Sequence, residues 1–128
     1  MNGEEFEKLV EKALQNIPKE FVKMMENVSV VTQDWPNRRQ LVELYKRGTR
    51  GLLLGLYEGV PKIKRARYGI GGQLPDKITI FKNPILMISK TPEKVKEVVE
   101  DTVIHEIAHH FGLSDGDLDK IKRERHSK

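Results

Sequence analysis

Apolar residues recur with a helical period near both ends of the chain. From Gly3 to Ile17 they are spaced three or four positions apart, which predicts an amphipathic helix. The residues that form this apolar stripe are Phe6, Leu9, Val10, Ala13, Leu14 and Ile17. Pro18 suits the first position of a short second helix that ends at Asn27. Near the other end, the pattern predicts a long helix from Pro92 to Phe111, followed by a shorter charged helix in SDGDLDKIKRER.

Strand-like patterns lie between these helical segments. Val28 to Asp34 is rich in β-branched residues, Leu52 to Tyr57 is an apolar run, and Lys77 to Lys82 alternates. A further helix is predicted from Asn37 to Lys46, and NPILMIS is expected to continue the last strand as a buried segment. Because helices and strands are mixed without strict alternation, we predict the α+β class.

Length and composition limit the possible protein classes. A chain of 128 residues is the size of one ordinary domain, so we predict a single domain over 1–128. The sequence has no cysteine, which rules out disulfides and thiolate ligands and fits a reducing, cytoplasmic location. No apolar run approaches the roughly 20 residues of a membrane helix, and we expect no membrane partner. The net charge of +4 permits an anionic partner but is too small to require one.

The stretch HEIAHHFGLSD contains three of the four histidines in the chain. On a helix His105 and His109 lie only about 40° apart, one turn from each other. The predicted core side of this helix is occupied by apolar residues, namely Val103, Ile104, Ile107, Ala108 and Phe111. The histidine pair therefore points away from the core. A solvated polar face is the alternative, although neutral imidazoles are unusual there beside so many Lys and Glu residues.

This spacing is suited to a metal ion. Two imidazoles at i and i+4 can bind one Zn²⁺, and Glu106 can reach a water as general base, the H-E-x-x-H arrangement. Gly112 can end the helix in a left-handed conformation and turn the chain back. Asp115 then supplies a carboxylate as the third ligand. Asp117 and Glu124 are reserve ligands if Asp115 is not the third.

Other polar residues have weaker claims to a role. His110 lies on the stripe of Glu106 and could steer that carboxylate or stabilise a tetrahedral intermediate, although packing or a surface role is the simpler interpretation. Tyr57 and Tyr68 could each donate a hydroxyl to an oxyanion, but we favour rings that are partly buried with the hydroxyl exposed. Asp76 is expected to serve turn geometry. The basic loop 62–67, KIKRAR, could contact phosphates, but a solvated loop is the simpler interpretation.

HEIAHHFGLSD resembles the zinc-binding helix and turn of the zincin metallopeptidases, with an aspartate where metzincins carry a third histidine. The whole chain resembles a family of small bacterial zincin-like metallopeptidases, sometimes called minimal zincins. The shared segments, in the same order, are FEKLVEKALQNIPKEF, NVSVV, GLYEGVP, LPDKITIFKNPIL and HEIAHHFGLSD. The resemblance implies a compact α+β zincin-like domain, a small sheet packed on helices, and bound zinc. It also implies that His105, His109 and Asp115 are ligands and Glu106 is the base. No methionine follows Asp115, so the methionine turn of metzincins is missing from this sequence.

The leading functional hypothesis is a zinc-dependent peptidase that acts on a peptide or protein substrate. The strand Lys77 to Lys82 could hold an extended peptide by β-augmentation. One alternative is a metal-dependent ribonuclease, because another small bacterial family linked to ribosomal RNA maturation has a related H-x-x-x-H-x-x-G-x-x-H site. Nucleic acid would then bind through the basic loop 62–67. The other alternative is a non-catalytic module in which zinc mainly stabilises the fold.

Overall fold

Helices lie at both ends of the molecule and the strands lie between them. The computed structural model describes residues 1–46, 53–59 and 75–126. Its helices are α1 Gly3–Gln15, α2 Lys19–Met24, α3 Arg38–Lys46, α4 Lys82–Ile88, α5 Pro92–His110 and α6 Asp115–His126. Its strands are β1 Val28–Gln33, β2 Gly55–Glu58 and β3 Asp76–Phe81. The sheet packs against the helices, so the predicted α+β class is confirmed.

The described strands form a mixed sheet in the order β1-β3-β2. β3 runs parallel to β1, with Val28 opposite Asp76, and antiparallel to β2, with Gly55 opposite Ile80. Both sides of β3 are therefore paired within the sheet. The expectation that the strand Lys77 to Lys82 holds a substrate is wrong, because its backbone groups are already used. Within the described residues, β2 has a neighbouring strand on one side only.

The core forms where α5 packs against both α1 and the sheet. From α1 the stripe contributes Phe6, Val10 and Ala13, which are all buried. From α5 the buried residues are Val95, Val99, Val103, Ile104, Ile107 and Ala108. Phe111 was predicted to join this face but is 51% exposed, because it caps the helix and lies outside the buried stripe.

Local signals explain where α5 begins. The Thr91 hydroxyl accepts a hydrogen bond from the Lys94 N–H at 3.2 Å, and proline occupies the first turn. A side-chain acceptor satisfies one of the N–H groups that a helix start leaves unpaired, and Pro92 lacks one. The cap and the proline thus fix the residue at which α5, the helix that carries the candidate site, begins.

The segment after β3 differs from its prediction. NPILMIS was expected to be a buried segment, and Lys82 to Ile88 form the helix α4, which is buried only in part. Pro84 lies in its first turn, where a missing N–H is tolerated. Pro84 and Ile85 are buried, but Met87 and Ile88 are exposed, so α4 covers the core with one side only.

In the described part of the chain, every helix is too short or too polar to cross a membrane.

Candidate metal and catalytic site

His105 and His109 lie next to each other on the exposed face of α5. Their ring centroids are 4.2 Å apart and the rings are tilted by 56°. The neighbouring residues Ile104, Ile107 and Ala108 are buried in the core on the other face. The predicted separation of a histidine face from an apolar face is therefore present in the structure, and both imidazoles face outward where an ion could reach them.

Glu106 lies one residue from His105 and points towards β2. Its Oε1 accepts a hydrogen bond from the backbone N–H of Tyr57 at 2.8 Å, and the side chain is half-buried. A carboxylate that accepts a backbone N–H forms a strong, charge-assisted hydrogen bond. One oxygen of Glu106 is thus held against the sheet while the residue remains beside the histidine pair.

His110 packs on the same tyrosine. The rings of Tyr57 and His110 are stacked, with centroids 3.8 Å apart and planes 13° apart. The Tyr57 hydroxyl donates to Asp76 Oδ2 at 2.7 Å. Tyr57 is only 6% exposed, so the favoured expectation of an exposed hydroxyl is wrong. The Asp76 carboxylate accepts the phenol from the neighbouring strand, and its expected contribution to turn geometry stays a prediction.

A cavity of about 980 Å³ lies between α5, β2 and α3, and we call it the α5–β2 cleft. One wall is polar and comes from α5: Asp101, Thr102, His105, Glu106, His109 and His110. Gly55 and Tyr57 of β2 and six aliphatic residues complete the lining: Leu44, Leu53, Leu54, Leu56, Ile88 and Val98. The histidine pair and Glu106 therefore open onto a cleft with an apolar side.

The end of α5 has the geometry that the glycine predicted. Gly112 has a φ of +77°, in the left-handed region. The Leu113 N–H donates to the Ala108 carbonyl at 2.8 Å, and the Gly112 N–H donates to the His109 carbonyl at 3.1 Å. This pair of hydrogen bonds is the Schellman motif, which satisfies the last carbonyls of a helix and reverses the chain.

The chain then enters α6 through a reciprocal cap. The Ser114 N–H donates to Asp117 Oδ2 at 2.9 Å, and the Asp117 N–H donates to the Ser114 hydroxyl at 3.1 Å. The Ser114 backbone N–H, and then its hydroxyl, hold the pKa of the Asp117 carboxyl below its ordinary value, with a smaller contribution from Lys120. The reserve ligand Asp117 is thus already occupied in capping α6.

Asp115 is the first residue of α6, just beyond the Schellman turn. The position of its side chain lies outside what the structure describes. Among the side chains that are described, no group of three His, Asp or Glu residues could hold a metal ion. The structure therefore brings His105 and His109 together beside Glu106, and the third ligand stays a prediction.

Several other candidates lie outside the described residues. These are the basic loop 62–67, Tyr68 and the side chain of Glu124. The donor set that is described fits zinc, which accepts neutral imidazoles and completes its shell with carboxylate oxygen.

Gly55 was not identified as important from the sequence, although this residue allows β2 to lie close to the candidate site. A Cβ at this position would lie 2.6 Å from Thr102 Cγ2 and 3.2 Å from the Thr79 carbonyl oxygen. Only glycine allows β2 to approach α5 this closely, and that approach brings the Tyr57 N–H within reach of Glu106. A glycine inside a strand pattern is the signal that could have indicated it.

The chain is similar to known proteins in sequence and in fold. The family model for zincin-like metallopeptidases matches residues 25–125. A conserved hypothetical protein from T. thermophilus has a similar structure, with a TM-score of 0.52 and 24% sequence identity. The match covers 86% of this chain and 94% of that one. At that identity the likeness shows a shared fold. No curated protein matches the chain significantly.

Proposed function

Because the chain belongs to the zincin-like metallopeptidase family, we propose that it is a zinc-dependent peptidase. The observation that carries this proposal is the arrangement on α5. His105 and His109 present adjacent rings, 4.2 Å apart, on the wall of the α5–β2 cleft that also holds Glu106. Two imidazoles and a carboxylate that is not needed as a ligand are the groups that zinc-assisted hydrolysis requires.

We assign the zinc ligands to His105, His109 and Asp115. The Schellman turn at Gly112 reverses the chain directly before Asp115, which supports a carboxylate arriving from α6. When bound at three protein ligands, zinc supplies a Lewis acid that lowers the pKa of water to about 7 and polarises a carbonyl.

Glu106 is the general base in this proposal. Its Oε1 is held by the Tyr57 N–H at 2.8 Å, and the carboxylate takes a proton from the attacking water. The same carboxyl group then delivers that proton to the amine that leaves when the peptide bond breaks. The hydrogen bond from Tyr57 limits rotation of the Glu106 side chain, so the carboxylate is held in a restricted position.

The substrate that fits the cleft is an extended peptide or protein segment. β2 borders the cleft through Gly55, Leu56 and Tyr57, and β3 is its one neighbouring strand within the described residues. A peptide that adds to this edge would pair with main-chain groups other than the Tyr57 N–H, which already donates to Glu106. The aliphatic side of the cleft, around Leu44 and Leu53, suits an apolar side chain of that peptide.

The ribonuclease and the non-catalytic zinc module stay as alternative predictions. The first depends on the basic loop 62–67, which lies outside the described residues. The second predicts bound zinc without hydrolysis, so it is separated from the peptidase by activity alone.

The first experiment measures zinc in protein purified without an affinity tag. We expect near-stoichiometric zinc in the wild type and loss of zinc in His109→Ala and Asp115→Ala. His110→Ala is the matched control, since it removes a histidine from the same helix turn and should retain zinc. A wild type that binds no zinc even when zinc is supplied would contradict the proposal.

The second experiment compares Glu106→Gln with the wild type in peptide and RNA cleavage assays run in parallel. Zinc content should be unchanged, while peptide hydrolysis falls by about 10²–10⁴-fold. RNA cleavage that depends on Glu106, with peptides left intact, would favour the ribonuclease instead. Full zinc with neither activity would favour the non-catalytic module.

A further inference from the structure

One residue on β2 contacts both polar side chains that flank the histidine pair. Tyr57 donates its N–H to Glu106, stacks its ring on His110 and donates its hydroxyl to Asp76. We propose that Tyr57 is the positioning residue of this site, holding the Glu106 carboxylate and the His110 ring at the wall of the cleft. The proposal deepens the peptidase function and rests on it for its catalytic consequence.

The amide donor of Tyr57 is rigidly placed. β2 pairs antiparallel with β3, and Tyr57 lies opposite Ile78 in that register. Ile78 is fully buried in the core, so the neighbouring strand holds the Tyr57 backbone in place. Because Gly55 allows β2 to lie against α5, the N–H reaches Glu106 Oε1 at 2.8 Å. The Glu106 carboxylate is thus held by a backbone N–H of the sheet and not by a mobile side chain.

The ring of Tyr57 is held at its far end. Its hydroxyl donates to Asp76, the first residue of β3, at 2.7 Å, and the ring is 6% exposed. A ring fixed at both the backbone and the hydroxyl cannot swing away from its stacking partner. The plane of His110 lies nearly parallel to it, at 13° and 3.8 Å.

His110 is oriented by this contact towards the cleft. It follows Glu106 by four residues on α5 and therefore lies one turn along the same side of the helix. Both residues line the α5–β2 cleft. Tyr57 thus holds side chains from two consecutive turns of α5 at the wall of the cleft, and we assign it no contact with the reacting atoms.

NMR of the metal-free protein tests the hydrogen bond between the Tyr57 amide and Glu106. Replacing the Glu106 carboxylate with an amide weakens the charge-assisted hydrogen bond, so in Glu106→Gln the Tyr57 amide proton should move upfield more than any other amide of β2. Glu97→Gln is the control, because it removes a negative charge from the same helix further from β2 and should leave that proton in place. An unchanged Tyr57 amide in a folded Glu106→Gln variant would overturn the proposal.

The ring contact has its own readout. A ring proton above an aromatic face is shifted upfield, so the His110 ring protons should be upfield in the wild type and in Tyr57→Phe, which keeps the ring. In Tyr57→Leu this shift should be lost. If Tyr57→Leu does not fold, a nuclear Overhauser effect between the two rings in the wild type decides the question. Absence of that effect, or His110 shifts that are the same in all folded variants, would contradict the stacking role.

Activity separates positioning from substrate binding. Tyr57→Leu should lower kcat and kcat/KM together, on the order of 10²-fold, because misplacement of a catalytic group acts on the transition state. Tyr57→Phe, which keeps the ring and the backbone N–H, should retain most of the wild-type kcat and kcat/KM. A rise in KM at unchanged kcat would show that Tyr57 binds substrate and would overturn the positioning role. If the wild type hydrolyses no peptide, the peptidase proposal fails, while the two NMR readouts still decide whether Tyr57 holds Glu106 and His110.

Discussion

At the scale of single residues, Gly112 has the clearest physical requirement. Its φ of +77° is a conformation that residues with a side chain rarely adopt. A Cβ there would meet nothing within 4 Å, so the requirement comes from the backbone alone and not from crowding. This one residue ends the helix that carries His105 and His109 and turns the chain towards Asp115.

We expect Gly112→Ala to lower the free energy of unfolding by about 1 kcal/mol, because the left-handed conformation costs alanine more than glycine. Gly3→Ala is the matched control, since its added Cβ also meets open space but its φ is not positive. That control should leave stability unchanged or slightly raised. Urea denaturation of the metal-free variants measures both. If both substitutions change the free energy of unfolding equally, alanine tolerates the left-handed conformation at Gly112 and the prediction is wrong.

At the scale of elements, the site depends on how closely β2 lies against α5. Thr102 is on α5, one residue before the buried Val103, and its Cγ2 occupies the space that a Cβ at Gly55 would need. Its hydroxyl is used elsewhere, donating to the Val98 carbonyl at 2.7 Å. The contact between the two elements is therefore a methyl group against a bare backbone.

Gly55→Ala should destabilise the protein by about 1–3 kcal/mol, because overpacking pushes β2 away from α5. Adding Thr102→Ser removes the methyl group and keeps the hydroxyl, so the double variant should recover part of this loss. Recovery is partial because the Thr79 carbonyl oxygen and Ile80 Cδ1 also lie within 3.3 Å of the added Cβ. A double-mutant cycle measures the coupling.

Gly59→Ala provides the control for this cycle. Gly59 follows the same strand, but its added Cβ would lie 3.6 Å from Asp76 Oδ1, an ordinary contact. Its effect should be small and should not change with Thr102→Ser. Strictly additive effects of Gly55→Ala and Thr102→Ser would refute a direct contact between these two positions.

At the scale of the whole molecule, α1 belongs to the same core as the site. The family match begins at residue 25, after α1 and α2. Even so, Phe6 and Val10 are buried in the cluster that contains Val99, Val103 and Ile107 of α5. The helix that presents the histidines therefore depends on a segment outside the matched region for one of its packing surfaces.

Phe6→Ala should lower the free energy of unfolding by about 3–5 kcal/mol, as expected for a large side chain removed from a filled core. Against a typical total of about 5–15 kcal/mol, this is a large fraction of the stability. Val22→Ala on α2 is the control, because Val22 is 53% exposed, and its effect should stay within about 0.5 kcal/mol. A small effect of Phe6→Ala would show that α1 packs only loosely on α5.

The local features of this protein could be predicted from its amino-acid pattern. Helical periodicity predicted α1 and α5 to within a few residues, and the same periodicity placed His105 and His109 away from the buried face. The glycine after HEIAHHF predicted the left-handed turn. These predictions held because each depends on the angle between residues a few positions apart, which is a property of the local backbone.

The order of the strands and the surroundings of Glu106 could not be predicted, because they depend on contacts between distant parts of the chain. β3 lies in the centre of the described sheet, although its alternating pattern is equally compatible with an edge. The contact between Glu106 and Tyr57 joins residues 49 positions apart through a backbone N–H. Every residue except proline carries that group, so no sequence pattern marks the one that will be used. Only the packing of β2 against α5, set by contacts distant in sequence, brings this donor to the candidate base.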